Sequence, residues 1–150
     1  MTTVLCFGTF DGLHPGHDDF FRQARTHGDR LIVVVALDRT VLEVKGQLPG
    51  MSETERVRRV GEHSQVHEAR LGHPDDKYRV IEEIQPQVIV LGYDQRGFAD
   101  GLSEQLQTRG LSPRIVRAES FHPEVYKSSL LRQMMPEIVE DDDDEDVTPL

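Results

Sequence analysis

The sequence contains no tryptophan and only one cysteine among its 150 residues. Because Cys6 has no second cysteine to pair with, an internal disulfide is excluded, and nothing calls for an oxidising compartment. No apolar stretch approaches the roughly 20 residues that a membrane-spanning helix requires. The residues after Met1 also lack the basic region that opens a secretory signal. These absences predict a cytoplasmic protein without a membrane partner.

Most of the excess negative charge lies at the C-terminus. The formal net charge is -10, from 27 acidic and 17 basic residues. Seven of the acidic residues form the run 140–146, and the remaining 20 against 17 basic residues leave a balance of only -3. Such a run repels itself, so we expect residues 137–150 to be a disordered, solubilising tail behind one domain of residues 1–136. Binding of a basic partner by the tail is the alternative. The body is not basic enough to indicate a nucleic-acid-binding surface.

Strand-like and helix-like patterns alternate from the first residues onward. They predict strands at 4–7, 31–37, 66–71, 87–91 and 114–117, and helices at 17–26, 53–61, 76–84, 102–108 and 128–134. This alternation indicates an α/β fold with a parallel sheet of about five strands, flanking helices and right-handed crossovers. Ligands bind beyond the carboxyl ends of the strands in such sheets. Segments 8–17, 38–45 and 92–97 follow predicted strands, so we expect the functional site there.

The segment 8–17 has the sequence Gly-Thr-Phe-Asp-Gly-Leu-His-Pro-Gly-His. Its glycines let the backbone turn sharply, and the N–H groups of the helix that follows favour an anion. His14 and His17 flank the rigid Pro15-Gly16 pair, so both imidazoles can reach one site. Two such donors suit a phosphorus whose negative charge rises in the transition state. Two other interpretations stay open: a zinc site, for which two histidines without a nearby cysteine are a poor ligand set, and incidental loop histidines.

A second polar cluster lies near the end of the predicted domain. Ser128 and Ser129 begin the last predicted helix, and Arg132 follows one turn later. The hydroxyls can donate to phosphate oxygens, and a guanidinium can bind two oxygens at once. An ordinary helix cap with an exposed arginine is the alternative interpretation.

Together, the two segments resemble the two signatures of the HIGH-type nucleotidyltransferase superfamily, in its cytidylyltransferase-like branch. The matching residues, in chain order, are Gly8, Thr9, Phe10, Asp11, His14, Gly16, His17, Ser128, Ser129 and Arg132. The resemblance extends to about Met135 and implies the Rossmann-like fold of that superfamily. It also implies that residues 8–11, both histidines, both serines and Arg132 bind the nucleotide. His14, His17 and Arg132 are then expected to be catalytic, with Mg²⁺ or another divalent cation on the triphosphate and its protein ligands unknown.

The region after the second predicted strand carries a basic residue in members of this branch, where it meets the acceptor phosphate. Lys45 lies in this region, so the resemblance implies a catalytic and acceptor-binding role for it. An ordinary surface lysine is the alternative. The cytidylyltransferases also place an arginine shortly before the second signature. Arg117 is a candidate for that position, but the surrounding residues leave the equivalence ambiguous.

Residues 92–95 bear on the identity of the nucleotide and the acceptor. Glycerol-3-phosphate cytidylyltransferases have Gly-x-Asp-Trp here, whereas this chain has Gly-Tyr-Asp-Gln and more closely resembles archaeal-type FAD synthases. That resemblance implies transfer of AMP from ATP to the phosphate of FMN. Gly92, Asp94 and Gln95 are then expected to bind the nucleotide. Tyr93 and Phe98 are expected to contact the flat ring of the acceptor, with ordinary packing as an equal alternative.

Two other functions are compatible with the same residues. A cytidylyltransferase would use CTP with glycerol-3-phosphate or another small phosphorylated alcohol. A non-catalytic nucleotide sensor would bind nucleotide without releasing pyrophosphate, although the complete set of signature residues argues against it. In each case the partners are small molecules. The resemblance leaves a homodimer open, since relatives on this branch are often dimers.

Overall fold

The computed structural model describes residues 1–92 and 95–119 of the chain. The elements in chain order are β1 (Thr3–Gly8), α1 (Pro15–Arg25), β2 (Arg30–Val35), α2 (Asp38–Lys45), α3 (Glu53–Gly61), β3 (Glu68–Leu71), α4 (Arg79–Ile84), β4 (Val88–Leu91), α5 (Arg96–Thr108) and β5 (Arg114–Arg117). The helix predicted at 128–134 and the tail predicted at 137–150 lie outside the described residues. Within the described part of the chain, no helix has both the length and the apolar character needed to cross a membrane.

The five strands form one parallel sheet in the order β3-β2-β1-β4-β5. The central strand β1 pairs along its whole length with β2, from Thr3 opposite Arg30 to Gly8 opposite Val35. On its other side it pairs with β4. The chain therefore passes from β3 at one edge to β4 on the far side of β1, and the strand order reverses there. Such a reversal opens a crevice at the carboxyl ends of the two strands. The predicted α/β fold with a five-stranded parallel sheet is confirmed.

Helices cover both faces of the sheet. One apolar cluster packs the strands against α1 and α3, and a second packs them against α4 and α5. Successive residues of β1 enter the two clusters in turn, with Val4 and Cys6 in the first and Leu5 and Phe7 in the second. The strands β1, β2 and β4 are buried along almost their whole length. Burial on both faces explains why their sequences are continuously apolar rather than alternating.

The structure corrects the segment 38–45, to which the sequence analysis assigned no helix. Strand β2 ends at Val35, two residues before the predicted end, and residues Asp38–Lys45 form α2. Asp38 lies in the first turn, where a negative charge is favoured by the helix dipole. Gly46 ends the helix in a left-handed conformation with φ of 82°. Only Val41 of α2 is buried, so the helix lacks the apolar periodicity by which helices are recognised in a sequence.

Three other helices begin at residues that differ from the prediction. Helix α1 starts at Pro15, because a proline fits the first turn, where its missing N–H needs no partner. Helix α5 starts at Arg96, six residues before the prediction. The sequence pattern did not reveal its first part, because two glycines there lower the helix propensity. Helix α4 starts only at Arg79. The Asp76 carboxylate accepts the N–H of Tyr78 at 3.0 Å in the turn before it, rather than capping the helix.

Candidate active site

The connection from β1 to α1 turns sharply at the carboxyl edge of the sheet. Phe10 adopts a left-handed conformation with φ of 55°, and Gly12 one with φ of 91°. This conformation is rare for an aromatic residue and marks a backbone that is held by its surroundings. The buried Phe10 ring lies against Gly8, where an added Cβ atom would stand 2.6 Å from the ring. The close approach of this ring therefore requires a glycine at the end of β1.

His14 and His17 lie together at the start of α1. Their rings stack with centroids 3.7 Å apart and 30° between the ring planes. The Nδ1 atom of His14 accepts the N–H of Gly16 at 3.0 Å, and the Nδ1 atom of His17 accepts the N–H of His14 at 3.3 Å. A ring nitrogen that accepts an N–H carries no proton, so each neutral imidazole has its proton on Nε2. The hydrogen bonds that cap α1 thus also orient both rings so that each Nε2 atom can act as an N–H donor.

Aromatic side chains pack against the histidine pair. The edge of the Phe10 ring meets the His17 ring at a centroid distance of 5.2 Å, and Phe10 contacts Phe21 of α1 at 5.3 Å. Beside them, the Thr9 hydroxyl is buried and makes no hydrogen bond to the described residues. Hydrogen bonds are electrostatically stronger in such low-polarity surroundings than in water. The start of α1 therefore combines donors, a helix N-terminus and a non-aqueous setting, which together suit a phosphate group.

Asp11 holds the β1–α1 connection in place. Its Oδ2 atom accepts the N–H of Gly50 at 2.7 Å, and its Oδ1 atom accepts the N–H of Met51 at 2.9 Å. Both carboxylate oxygens are thus used on the segment that leads into α3, in charge-assisted hydrogen bonds. The sequence analysis expected Asp11 to contact the nucleotide, and the structure adds a positioning role for it.

Arg56 is fully buried, and the sequence analysis assigned it no role. Its Nη1 atom donates to the Thr9 carbonyl at 2.8 Å, its Nη2 atom to the Asp38 carboxylate at 2.7 Å, and its Nε atom to the Met51 carbonyl at 3.0 Å. One signal could have revealed it: a charged residue lies one turn before Val60, on the buried face of α3. An arginine in such a position needs internal partners.

Lys45 lies at the opposite end of α2 from Asp38. The helix rise puts the two residues about 10 Å apart along the axis. Lys45 is partly buried, and within the described part of the chain it makes no ion pair or hydrogen bond. Because Arg56 joins Asp38 to Thr9, the start of α2 lies close to the β1–α1 connection. The structure thus places Lys45 on a helix whose first residue, Asp38, is joined through Arg56 to the β1–α1 connection.

The end of β4 is tied to the end of β1 by one side chain. The buried Gln95 side chain donates from Nε2 to the Phe7 carbonyl at 3.0 Å, and its Oε1 atom accepts the N–H of Gly92 at 2.6 Å. Arg117 of β5 donates to the Gly92 carbonyl at 2.7 Å. Gln95 was expected to bind the nucleotide, whereas the structure engages both ends of its amide with the backbone. Gln95 and Arg117 therefore position the edge of the crevice.

The sequence model of the cytidylyltransferase-like family matches residues 5–134 of the chain. The chain belongs to this family. Among its relatives, the FAD synthase of Aciduliprofundum boonei is 43% identical over 81% of this chain and 80% of its own length. The FAD synthase of Thermoplasma acidophilum is 36% identical over 93% of this chain and 97% of its own length. A solved structure from Thermoplasma volcanium, described as a lipopolysaccharide core biosynthesis protein, is 34% identical with a TM-score of 0.76, and the alignment covers 81% of this chain and 99% of that one.

Several predicted site residues of this cytidylyltransferase-like chain lie outside the described residues. They are Tyr93 and Asp94 at the β4–α5 connection and Ser128, Ser129 and Arg132 of the second signature. Phe98 falls in the first turn of α5, of which the backbone is described. The described residues therefore form one half of the predicted phosphate site, namely the half supplied by β1, α1 and their supports.

The other polar groups among the described residues bear on whether this half of the site could bind a metal ion or use a thiol. Among residues 1–92 and 95–119, no group of three or more histidine, cysteine or carboxylate side chains could hold a metal ion. Burial raises the pKa of the Cys6 thiol far above its usual range, so it is neither a thiolate ligand nor a nucleophile near neutral pH. Among the described residues, the histidine pair therefore lacks the further ligands that a zinc site would need.

Proposed function

We propose that this chain is an FMN adenylyltransferase, which transfers AMP from ATP to the phosphate of FMN and produces FAD and pyrophosphate. The observation that carries the proposal is the stacked pair of histidines, His14 and His17, at the start of α1, whose Nδ1 atoms accept backbone N–H groups and leave Nε2 as the donor. The match of the chain to the cytidylyltransferase-like family gives the reaction type. The name FAD synthase, shared by relatives that are 36% and 43% identical, gives the substrates.

In the proposed reaction an oxygen of the FMN phosphate attacks the α-phosphorus of ATP in line with the departing pyrophosphate. The acceptor oxygen is already negatively charged, so no strong general base is needed, and catalysis relies on positioning and charge neutralisation. His14 and His17 donate to the phosphoryl oxygens as their charge rises, and the N-terminus of α1 adds its dipole. Lys45 neutralises the attacking phosphate. Ser128, Ser129 and Arg132 bind the β- and γ-phosphates.

A divalent cation, most simply Mg²⁺, completes the proposed site. Magnesium commonly binds through substrate phosphates, waters and only one or two carboxylates. Since the described residues hold no cluster of three potential ligands, the donor set suits a cation that arrives on the triphosphate. There it would neutralise phosphate charge. We also propose that the reaction takes place in the cytoplasm, where a chain with a single buried cysteine needs no oxidising conditions, and that the partners are small molecules rather than nucleic acid.

The test is pyrophosphate release with ATP or CTP, each paired with FMN, glycerol-3-phosphate or phosphoethanolamine, in the presence of Mg²⁺. We expect turnover only when ATP is paired with FMN, and a flavin product that co-elutes with FAD. Turnover only with CTP would replace the proposal by the cytidylyltransferase function. Nucleotide binding without pyrophosphate release in any pairing would favour the sensor.

A pair of variants links that activity to the candidate site. His17→Ala removes one proposed donor. His73→Ala is the matched control, because His73 lies outside the site and its Nε2 atom contacts Glu83 at 3.0 Å. Only the first variant should lose turnover.

A further inference from the structure

Arg56 is a fully buried charge at a position where the helix pattern calls for an apolar residue. It shares the buried face of α3 with Val60, and its side chain is completely shielded from solvent. Burying a guanidinium is costly unless it is paired and hydrogen-bonded, and a well-packed apolar replacement is often at least as stable. The requirements of the fold alone therefore do not account for an arginine here.

The three acceptors of the guanidinium come from three separate segments. They are the Thr9 carbonyl in the β1–α1 connection, the Asp38 carboxylate at the start of α2 and the Met51 carbonyl before α3. The segment before α3 is held a second time, because Asp11 accepts the N–H of Met51. One cation thus joins the phosphate-binding connection to the helix that carries Lys45. The guanidinium donates to the protein itself and is shielded from solvent, so it does not touch a substrate.

We infer that Arg56 is a positioning residue for the transfer reaction: it fixes α2, and with it Lys45, relative to the histidine pair. This inference rests on the proposed function, in which the acceptor phosphate and the nucleotide are held by these two elements. Displacement of a reacting group by about 1 Å can lower a rate about 100-fold. Loss of Arg56 should therefore lower kcat more than it weakens nucleotide binding, because the histidine pair is capped by its own hydrogen bonds.

The experiment compares Arg56→Lys and Arg56→Met with Arg59→Met. Arg59 is the matched control, because it lies on the same helix, is exposed and forms a surface ion pair with Glu55. For each variant we would measure kcat, KM for ATP and FMN, the Kd of ATP by calorimetry and the melting temperature, with assays run well below that temperature. We expect Arg56→Lys to lower kcat by about 100-fold, because an ammonium group cannot reach three acceptors in the geometry of a guanidinium. The Kd of ATP should change by less than about fivefold, and Arg59→Met should match the wild type.

A second variant keeps the test valid if Arg56→Met fails to fold. Asp38→Asn removes the charged partner from the partly exposed end of the network. This variant should also lower kcat while the Kd of ATP stays nearly constant, but by a smaller factor than Arg56→Lys. A fall in activity that only follows the folded fraction would overturn the inference, and so would a rise in KM for ATP at constant kcat. Wild-type protein without turnover would refute the proposed function, and the inference with it. Active wild type with active Arg56 variants would refute the inference alone.

Discussion

Replacement of Gln95 by glutamate tests whether this side chain is a structural clamp between β1 and β4. In the wild type, Oε1 accepts the N–H of Gly92 and Nε2 donates to the Phe7 carbonyl, and the side chain is buried. Gln95→Glu keeps the first hydrogen bond. Its second oxygen faces the Phe7 carbonyl and can hydrogen-bond to it only as a protonated carboxyl group. The variant should therefore fold well only while that carboxyl holds its proton.

The size of the effect follows from the surroundings of the new carboxyl. Burial and an adjacent carbonyl oxygen both disfavour the charged form, so the folded pKa lies above the unfolded value of about 4.3. The folded variant then binds its proton more tightly than the unfolded chain does. Its stability is complete below the unfolded pKa and is lost as pH rises towards the folded pKa. A rise of two to three units corresponds to about 3–4 kcal/mol lost between acidic and mildly basic pH.

The assay is urea unfolding of wild type, Gln95→Glu and Gln95→Met at pH 4.5, 6 and 8, followed by far-ultraviolet circular dichroism. The methionine variant removes both of these hydrogen bonds, so its deficit of about 2–4 kcal/mol should not change with pH. The deficit of Gln95→Glu relative to wild type should be small at pH 4.5 and should grow with pH. A deficit that stays constant, or shrinks as pH rises, would refute the assignment of these two hydrogen bonds.

Three further predictions concern the candidate site and the surface. His17→Ala should lower kcat by about 10²–10³-fold with an unchanged circular dichroism spectrum, and a folded variant with near-normal turnover would rule out the proposed role. Gly8→Ala puts a Cβ atom 2.6 Å from the Phe10 ring, so unfolding in urea should show a loss of about 1–3 kcal/mol; unchanged stability would contradict the close approach. The hydrogen bond from Arg58 lowers the pKa of Glu55 below its ordinary 4.5, so this pair stabilises the fold above pH 4.5 and the contribution is lost as pH falls through the folded pKa. The stability difference between wild type and Glu55→Gln should therefore disappear in acid, and a difference that grows on acidification would exclude this pairing.

The sequence predicted the fold well because its strands carry strong local signals. The apolar, β-branched run after Arg30 is typical of a strand buried on both faces, and the alternation with helices then indicates a parallel sheet. The first half of the candidate site could be proposed for a similar reason, since the histidines and glycines lie within ten consecutive residues. Helix α2 was missed because it buries only Val41, which leaves no periodic pattern to detect.

The partners of the supporting residues could not be predicted, because most of them are distant backbone atoms. Arg56 bonds to a carbonyl 47 residues away, and Gln95 to one 88 residues away. No spacing rule connects such residues, and a backbone carbonyl has no residue type that a sequence could reveal. For the same reason, the sequence could not show that Asp11 and Gln95 also hydrogen-bond to backbone groups of the protein. A sequence shows which groups are polar, and only the fold shows whether the protein itself already uses them.

The strand order has a consequence for how the protein folds. Strands β1, β2 and β3 follow one another within residues 3–71, whereas β4 and β5 follow within residues 88–117. Strand pairing within each half closes only short stretches of chain, whereas the pairing of β1 with β4 closes a long stretch. The hydrogen bond from the Gln87 N–H to the Thr3 carbonyl, at 3.0 Å, can form only after that pairing. We therefore expect the two halves to form first and to join last. Since the crevice lies at their junction, enzymatic activity should return only in the slowest phase of refolding, after most of the helical signal has been regained.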